Sequence, residues 1–223
     1  MATDDLKPIA VVLFTGGMDS TATAHYVKNA MGCETYGLTL QQFDDGDIVN
    51  WKEISVARRM CSFLGIQHMV YDASAYADLV NKQVTNSCNY KEGNDDDIKL
   101  NFIPNRNALF LLLGHSLCQS LMNAKKRDVG YVMTGLIESD PKYPDSNLQY
   151  FNDLDDALSP GILQGTISIL SPLYKYTKGQ IVQYLKRHKI PLELTWSCNT
   201  NNDEPCGECF GCTQLNKLKN DTE

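Results

Sequence analysis

The feature that most constrains this chain is an apolar strand that ends in two glycines and is followed at once by a helical pattern. Ile9–Phe14 is a continuous apolar run, as expected of a central parallel strand that is covered on both faces. Thr15, Gly16 and Gly17 break the run, and a helix is predicted over residues 20–30. Because parallel strands need crossover connections, the rest of the chain is expected to alternate strands and helices.

That alternation continues along the chain. Four more strands are predicted, at Thr35–Leu40, Gln67–Tyr71, Val129–Thr134 and Thr166–Leu170. Helices are predicted between and after them, over residues 51–64, 74–80, 107–122, 148–158 and 178–189, with a long polar loop over residues 81–101. This order predicts an α/β fold with a doubly wound, parallel five-stranded sheet of the Rossmann-like kind.

Charge and composition exclude several classes of protein. The chain has 223 residues and a net charge of −7, which disfavours direct nucleic-acid binding because that affinity comes from neutralised phosphates. No apolar run reaches roughly 18 residues, so no membrane span is predicted. The first residues lack the basic and apolar regions of a signal peptide. We therefore expect a cytoplasmic protein.

Four of the eight cysteines lie close together near the C-terminus. Their spacing is C-x7-C-x2-C-x2-C, formed by Cys198, Cys206, Cys209 and Cys212. Four thiolates at this spacing can surround one tetrahedral Zn²⁺, and four protein ligands predict one structural zinc per chain. An iron–sulfur cluster and redox-active cysteines are the alternatives. We therefore predict that the chain has two regions: an α/β domain over residues 1–190 and a zinc-binding segment over residues 191–223 packed on it.

The segment after the first strand has the composition of an anion-binding loop. Gly16 and Gly17 allow positive φ angles and a close approach of backbone to a ligand, and the N–H groups of the turn and the helix start bind anions. Asp19 suits a metal bound to phosphates or a helix cap. Hydroxyl groups are supplied by Thr15, Ser20 and Thr21. The alternative is an ordinary turn in which Asp19 or Ser20 caps the helix.

Other phosphate and cofactor motifs are missing. The loop lacks the Gly-Lys-Ser/Thr ending of a Walker A motif, and the chain contains no G-x-G-x-x-G. Charged residues elsewhere are candidates for ligand contact. Arg106 begins an apolar helix and suits a phosphate or carboxylate, and Asp140 and Asp145 follow the fourth strand, at the sheet edge where ligands bind. Lys178 begins the last helix and suits a phosphate, although such a lysine is more often solvated.

Phe14–Thr21 resembles the S-G-G-x-D-S loop of the N-type ATP pyrophosphatases, with Thr15 in place of the usual serine. Together with the cysteine spacing, it resembles the 7-cyano-7-deazaguanine synthase family. Four other segments carry the same resemblance: Phe102–Asn107, Thr134–Asp140, Tyr143–Asp145 and Ser171–Lys178.

The resemblance implies an adenine nucleotide alpha hydrolase-like fold and an enzyme that converts 7-carboxy-7-deazaguanine and ammonia, with ATP, to 7-cyano-7-deazaguanine, AMP and pyrophosphate. It also implies Mg²⁺ bound with ATP and a homodimer. ATP contacts are expected from Phe14, Thr15, Gly16, Gly17, Met18, Asp19, Ser20, Thr21 and Lys178. Catalytic roles are expected for Asp19, Ser20, Arg106, Asp140 and Asp145.

The chain departs from the family pattern at several places, including the segment after the second strand and the cysteine motif. Gln41–Asp47 lacks the aromatic-Gly-Gln sequence and the nearby histidine, and Glu208 stands where the cysteine motif often has histidine. Two further hypotheses therefore stay open. One is a relative that stops at the amide or transfers the activated deazaguanine to another acceptor. The other is a non-catalytic, nucleotide-binding zinc-knuckle module.

Overall fold

The computed structural model describes residues 6–41, 43–44, 47–48, 50–79, 105–140, 143–198, 203–209, 211–213 and 215–216. Its strands are β1 (Ile9–Leu13), β2 (Glu34–Gln41), β3 (Phe43–Asp44), β4 (Asp47–Ile48), β5 (Gln67–Asp72), β6 (Val129–Met133) and β7 (Thr166–Leu170). Its α-helices are α1 (Met18–Asn29), α2 (Trp51–Leu64), α3 (Ser74–Leu79), α4 (Arg106–Lys125), α5 (Leu148–Leu158) and α6 (Lys178–Arg187). The predicted loop over residues 81–101 lies outside the described residues.

Five of these strands form one sheet in the order β5-β2-β1-β6-β7, and all of its neighbouring pairs are parallel. The predicted five-stranded parallel sheet is therefore confirmed. From β1 the chain first extends the sheet through β2 to β5, and it then continues on the other side of β1 with β6 and β7. Strand order thus reverses between β1 and β6, which creates the switch point where open α/β sheets bind ligands.

Both faces of the sheet are covered because the residues of β1 alternate between two apolar cores. Ala10 and Val12 belong to the core that also contains residues of α1, α2 and α6. Ile9 and Val11 belong to the other core, with residues of α4 and α5. All four side chains have no exposed surface, which explains why the strand is apolar at every position. The doubly wound arrangement is confirmed.

Two local features differ from the sequence expectation. Helix α1 begins at Met18, with Gly17 as its N-cap residue and no side-chain cap, so Asp19 and Ser20 lie inside the helix. The alternative that one of them caps the helix is therefore wrong. The segment Gln41–Asp47 contributes to a two-stranded antiparallel hairpin of β3 and β4, which the sequence pattern did not predict.

The last part of the chain packs on the α/β unit. After α6 comes a 3₁₀ turn, Leu192–Leu194, and both of its leucines, with Leu215, pack against the core formed by α1, α2 and α6. The predicted division at residue 190 stays a prediction. Within the described residues, none of the helices combines the length and the apolar character needed to cross a membrane.

Candidate functional site

The loop between β1 and α1, which we call the glycine loop (Thr15, Gly16 and Gly17), presses against helix α2. Gly16 has a φ of 77°, a conformation that side-chain-bearing residues rarely adopt. A Cβ atom at this position would lie 2.8 Å from the backbone nitrogen of Ala57 and 2.9 Å from a methyl group of Val56. Glycine is therefore needed here both for conformation and for space.

Hydrogen bonds from hydroxyl groups of neighbouring residues stabilise the glycine loop. The Ser20 hydroxyl donates to the Gly17 carbonyl at 3.1 Å, and it lies 3.3 Å from the Thr15 hydroxyl. The first N–H groups of α1, like those of any helix, have no intrahelical acceptor and lie at the positive end of the helix dipole, and the N-cap residue Gly17 offers no side chain to cap them. This arrangement suits an anion.

A lysine and two aspartates meet beside the loop. The Lys178 ammonium lies 2.5 Å from Asp19 and 3.3 Å from Asp140. Burial by itself lowers the pKa of Lys178, but the charges of the two aspartates outweigh it and raise that pKa above its ordinary value. Lys178 therefore carries a positive charge at neutral pH, next to the start of α1.

The two aspartates differ in their remaining contacts. Asp140 accepts a hydrogen bond from the backbone N–H of Ile137 at 3.0 Å, which fixes the turn after β6. Asp19 keeps a buried carboxylate oxygen, Oδ1, that has no hydrogen-bond partner among the residues that the structure describes. Burial raises the pKa of Asp19, and Lys178 opposes that shift. Asp19 thus retains an oxygen that can accept a ligand proton or contact a cation.

The segment after β6 closes against the start of α1. A Cβ at Gly135 would lie 2.9 Å from the backbone nitrogen of Ser20, so glycine permits this close approach. The preceding residue, Thr134, shares a 2.6 Å hydrogen bond with Ser171, which follows β7. The ends of β1, β6 and β7 are therefore tied together at one edge of the sheet.

A cleft of about 210 Å³ opens at this edge, at the switch point between β1 and β6. It is lined by Leu13, Thr15, Gly17, Asp19, Ser20, Asn107, Phe110, Leu111, Thr134, Gly135, Leu136, Asp140, Ser146 and Phe151. Its walls combine apolar side chains with a few polar groups, as small-molecule sites do. The structure thus brings five of the predicted site residues to one cleft: Thr15, Gly17, Asp19, Ser20 and Asp140. Lys178 forms ion pairs with two of these residues, Asp19 and Asp140.

Other predicted contact residues lie elsewhere. Phe14, Met18 and Thr21 are buried in the core, and the backbone N–H and carbonyl of Phe14 bond to Leu38 and Thr39. Their side chains support the loop and do not line the cleft, and the expected contact of Phe14, Met18 and Thr21 with ATP stays a prediction.

Asp145 is also buried and does not line the cleft, and its expected catalytic role stays a prediction. Its carboxylate accepts hydrogen bonds from the backbone N–H of Asn107 at 3.1 Å and from the Asn107 amide at 3.3 Å. It therefore ties the segment before α5 to the first turn of α4. The Asn107 side chain, which sequence reasoning did not single out, lines the cleft beside it.

Arg106 begins α4 but does not line the cleft. Burial raises the pKa of Glu53 on α2, and the positive charge of Arg106 opposes that shift. Asn105, just before the helix, has a φ of 58°, a left-handed conformation that Asn tolerates better than most residues. The motif residues Phe102, Ile103 and Pro104 lie outside the described residues.

The four C-terminal cysteines, which we call the cysteine centre, come together as predicted. The sulfur atoms of Cys198, Cys206, Cys209 and Cys212 all lie within 4.8 Å of one another. Backbone N–H groups point at two of them: Cys206 N–H at the Cys198 sulfur (3.3 Å) and Cys209 N–H at the Cys206 sulfur (3.4 Å). Such N–H···S contacts stabilise thiolates that ligate a metal.

One connection was missed by sequence reasoning. The backbone N–H of Trp196 donates to the carbonyl of Gly16 at 3.1 Å, so the segment that enters the cysteine centre touches the glycine loop. Lys52 of α2 lies 5.0 Å from the centre of the Trp196 ring and donates to the backbone carbonyl of Asp203 at 2.7 Å. The only sequence signal was that Trp196 comes two residues before Cys198.

Comparisons with known proteins agree with this architecture. A 4-thiouridine synthetase in complex with RNA and bound ATP superposes on this chain with a TM-score of 0.52 at 13% identity, and the match covers 96% of this chain and 50% of that one. At this identity the likeness concerns the fold alone, and it confirms the predicted adenine nucleotide alpha hydrolase-like class.

Sequence comparisons are more specific. A Campylobacter fetus protein named 7-cyano-7-deazaguanine synthase is 31% identical over 207 residues, which cover 91% of this chain and 88% of the relative. The protein of the same name from Campylobacter curvus is 32% identical over 208 residues, covering 91% and 89%. The family profile described as "Queuosine biosynthesis protein QueC" matches residues 9–219. The chain therefore belongs to the QueC family and is an enzyme of that family, as its motifs predicted.

Proposed function

We propose that this enzyme converts 7-carboxy-7-deazaguanine and ammonia to 7-cyano-7-deazaguanine, using ATP and releasing AMP and pyrophosphate. Membership of the QueC family supports the product. The observation that carries the use of ATP is the uncapped start of α1 beside the glycine loop and Lys178, in a cleft at the switch point of the sheet. Backbone N–H groups and a lysine together suit the pyrophosphate portion of a nucleotide.

The first half of the reaction activates an acid. A carboxylate oxygen of the substrate attacks the α-phosphorus of ATP, and pyrophosphate leaves. Ammonia then attacks the acyl carbon of the adenylate, AMP leaves with the carboxylate oxygen, and the amide forms. Activation is necessary because a carboxylate has no good leaving group, whereas AMP is one. The N–H groups of α1 and Lys178 stabilise the negative charge of the departing pyrophosphate.

The second half repeats the activation on the amide. The amide oxygen attacks the α-phosphorus of a second ATP, pyrophosphate leaves, and loss of AMP and of both nitrogen-bound protons yields the nitrile. No nucleophilic side chain is required in either half. The side chains are needed to bind, orient and neutralise charge, which fits a cleft that contains carboxylates, amides and hydroxyls.

The aspartates and Lys178 have distinct proposed roles. Mg²⁺ would enter with ATP, and Asp19 and Asp140 are the carboxylates beside the start of α1, with Asp19 offering its buried Oδ1 atom. Ser20 holds the glycine loop through the Gly17 carbonyl. Arg106 is proposed to bind the deazaguanine carboxylate or a phosphate from the side of α2.

The cysteine centre is proposed to hold one structural Zn²⁺. Four sulfurs at the Zn–S length of about 2.3 Å around a tetrahedral ion stand roughly 3.8 Å apart. The sulfur of Cys198 lies 3.5 Å from that of Cys206 and 3.9 Å from that of Cys209, and the sulfurs of Cys206 and Cys212 are 4.0 Å apart. A four-iron cluster places its cysteine sulfurs on separate irons, and so farther apart, which favours the single ion.

Two further expectations from the sequence analysis are kept as proposals. We propose a homodimer, since an isologous two-fold contact is the usual arrangement of soluble oligomers, and a cytoplasmic location. The small molecules ATP, 7-carboxy-7-deazaguanine and ammonia are the proposed partners, and direct nucleic-acid binding is not expected from a chain with a net charge of −7.

The deciding experiment is mass spectrometry of the products formed from 7-carboxy-7-deazaguanine, ATP and ammonium, with AMP and pyrophosphate counted. We expect the nitrile, with two AMP and two pyrophosphates per product. Supplying the amide directly should yield the nitrile with one AMP. ADP and phosphate in place of AMP and pyrophosphate would contradict the proposal.

The same experiment separates the other hypotheses. Accumulation of the amide with one AMP, and no reaction of added amide, would indicate a relative that stops at the amide. A consumed acid that yields neither amide nor nitrile would indicate transfer to another acceptor. Nucleotide binding without any pyrophosphate release would indicate a non-catalytic module.

A further inference from the structure

We propose that the cysteine centre anchors the glycine loop in the conformation that receives the pyrophosphate of ATP, with Trp196 as the positioning residue. The inference rests on the proposed function, because it takes ATP or pyrophosphate as the ligand of the loop. It assigns to the C-terminal segment a role in ligand binding that goes beyond local stability.

The peptide group between Gly16 and Gly17 is the point at which Trp196 contacts the glycine loop. The Gly16 carbonyl accepts the Trp196 N–H at 3.1 Å. In a trans peptide the carbonyl and the following N–H point in opposite directions, so this bond also orients the N–H of Gly17. That N–H donates to the Thr15 hydroxyl at 3.4 Å, and both Thr15 and Gly17 line the cleft. The bond from Trp196 thus holds the Gly16–Gly17 peptide, and with it the Thr15 hydroxyl, in position at the cleft.

The glycine loop needs such an anchor because its two glycines are flexible. Two adjacent glycines have more accessible backbone conformations than any other pair, and ordering them costs entropy. On one side the loop is already pressed against Val56 and Ala57 of α2. On the other side it meets the backbone of Trp196, whose carbonyl oxygen would lie 3.5 Å from a Cβ built at Gly17. The loop therefore lies between α2 and the Trp196 segment.

Trp196 is joined to the cysteine centre through the two residues that follow it. Cys198, one of its four sulfur ligands, follows Trp196 by two residues. Ser197, between them, packs so tightly on the turn of Gly211 that a Cβ there would lie 1.6 Å from the Ser197 carbonyl oxygen. A metal that holds Cys198 and Cys212 together also fixes the backbone that carries the Trp196 N–H.

A further contact fastens the same segment to the α/β unit. The Lys52 ammonium lies 5.0 Å from the centre of the Trp196 ring, a cation–π distance, and it also donates to the carbonyl of Asp203 at 2.7 Å. Lys52 belongs to α2, the helix against which the glycine loop packs. Loop, helix and cysteine centre are therefore joined in one small assembly.

The main test compares two substitutions at one position. Trp196→Pro removes both the ring and the backbone N–H, whereas Trp196→Ala removes only the ring. Thr195 has a φ of −85° and a ψ of 156°, which is compatible with a following proline. Binding of inorganic pyrophosphate and of ATP is measured by calorimetry, with metal content determined on the same samples.

We expect Trp196→Pro to retain its metal and to raise the Kd for pyrophosphate about tenfold, which corresponds to about 1.4 kcal/mol. Trp196→Ala should raise that Kd less than about threefold. In turnover assays the proline variant should raise the KM for ATP more than it lowers kcat. Equal affinity of the two variants for pyrophosphate would contradict the proposal that Trp196 anchors the glycine loop. A wild-type protein that binds neither ATP nor pyrophosphate would instead contradict the proposed function.

A second measurement needs no substitution. Amide hydrogen exchange is followed in the wild-type protein before and after its metal is removed by a chelator, with metal loss verified by elemental analysis. We expect faster exchange in the peptide covering residues 14–21 and unchanged exchange in α5, which lies on the other face of the sheet. Unchanged exchange in residues 14–21 would overturn the anchor, and so would equal acceleration in α5, because the metal would then support the whole fold.

Discussion

The glycine loop and the cysteine centre touch each other, but they are built in different ways. The loop depends on backbone: a φ of 77° at Gly16, an uncapped helix start and N–H groups without intrahelical acceptors. The cysteine centre depends on side chains: four sulfurs within 4.8 Å of one another, supplied by a short stretch of chain. A metal site of this kind can be recognised from spacing alone, because its ligands are neighbours in sequence.

The loop is different because residues far along the chain complete it. Lys178 lies 159 residues from Asp19 in sequence, and Asp140 and Gly135 come from the segment after β6. Sequence analysis named Asp140 and Lys178 as candidates for ligand contact, but it did not indicate that Lys178 would pair with both Asp19 and Asp140. The comparison predicts that substitutions at the cysteine centre act first on metal binding and stability, whereas those at the loop act first on ligand binding and turnover.

The largest effect is expected from Cys206→Ser. Loss of one ligand should release the metal and lower the free energy of unfolding by about 3 kcal/mol or more, because binding of a structural zinc is linked to folding. For a chain of this length that corresponds to a melting temperature lower by on the order of 10 °C. Elemental analysis and thermal denaturation measure both quantities.

Cys33→Ala is the matched control, since Cys33 is a buried cysteine outside the centre. It should keep one metal per chain. A Cys206→Ser variant that also keeps its full metal content, or a wild-type protein that contains iron instead, would contradict the zinc assignment.

The next largest effect is expected from Asp19→Ala, at the loop. It should lower turnover at least about a hundredfold, or about 2.7 kcal/mol, because Lys178 loses its nearest partner and the site loses the buried Oδ1 atom. The fold should survive, since Asp19 caps no helix. Steady-state kinetics and a melting curve measure the two effects.

Asp153→Ala serves as the control, because Asp153 lies exposed on α5 and accepts a hydrogen bond from nearby Gln149 on the same helix. It should keep wild-type turnover. If Asp19→Ala keeps more than about a tenth of the wild-type rate, the catalytic role of Asp19 is wrong.

A smaller effect is expected from Gly135→Ala, which adds a methyl group 2.9 Å from the backbone nitrogen of Ser20. The segment after β6 must move away from α1, so we expect about tenfold weaker ATP binding and a stability loss of about 1–3 kcal/mol. Gly161→Ala is the control, because nothing lies within 4 Å of a Cβ built there. Equal ATP affinity of the two variants would show that the close approach does not shape the site.

The smallest effect on turnover is expected from Asp145→Asn. Its carboxylate accepts from the Asn107 backbone and side chain, so removing the charge should lower the free energy of unfolding by about 1 kcal/mol. We expect kcat to stay within about threefold of the wild-type value. A stable variant that has lost nearly all turnover would support the catalytic role expected from the sequence.

The strands of the sheet and the four members of the cysteine centre were both predictable from local sequence patterns. The five predicted strands and the helix over Trp51–Leu64 appear as expected, because apolar periodicity is a local property that reflects which face is buried. The hairpin of β3 and β4 was missed because strands of two residues carry no measurable period.

The assembly of the site, in contrast, depends on contacts between segments that are far apart in the sequence. Sheet order places the segment after β6 and the start of α6 beside the glycine loop, and no local pattern specifies that order. The same reason explains why Asp145 was expected in the cleft but lies buried against Asn107, and why the bond from Trp196 to Gly16 was not foreseen. Spacing identifies ligands that are close in sequence, whereas contacts across the chain depend on how the strands and helices pack.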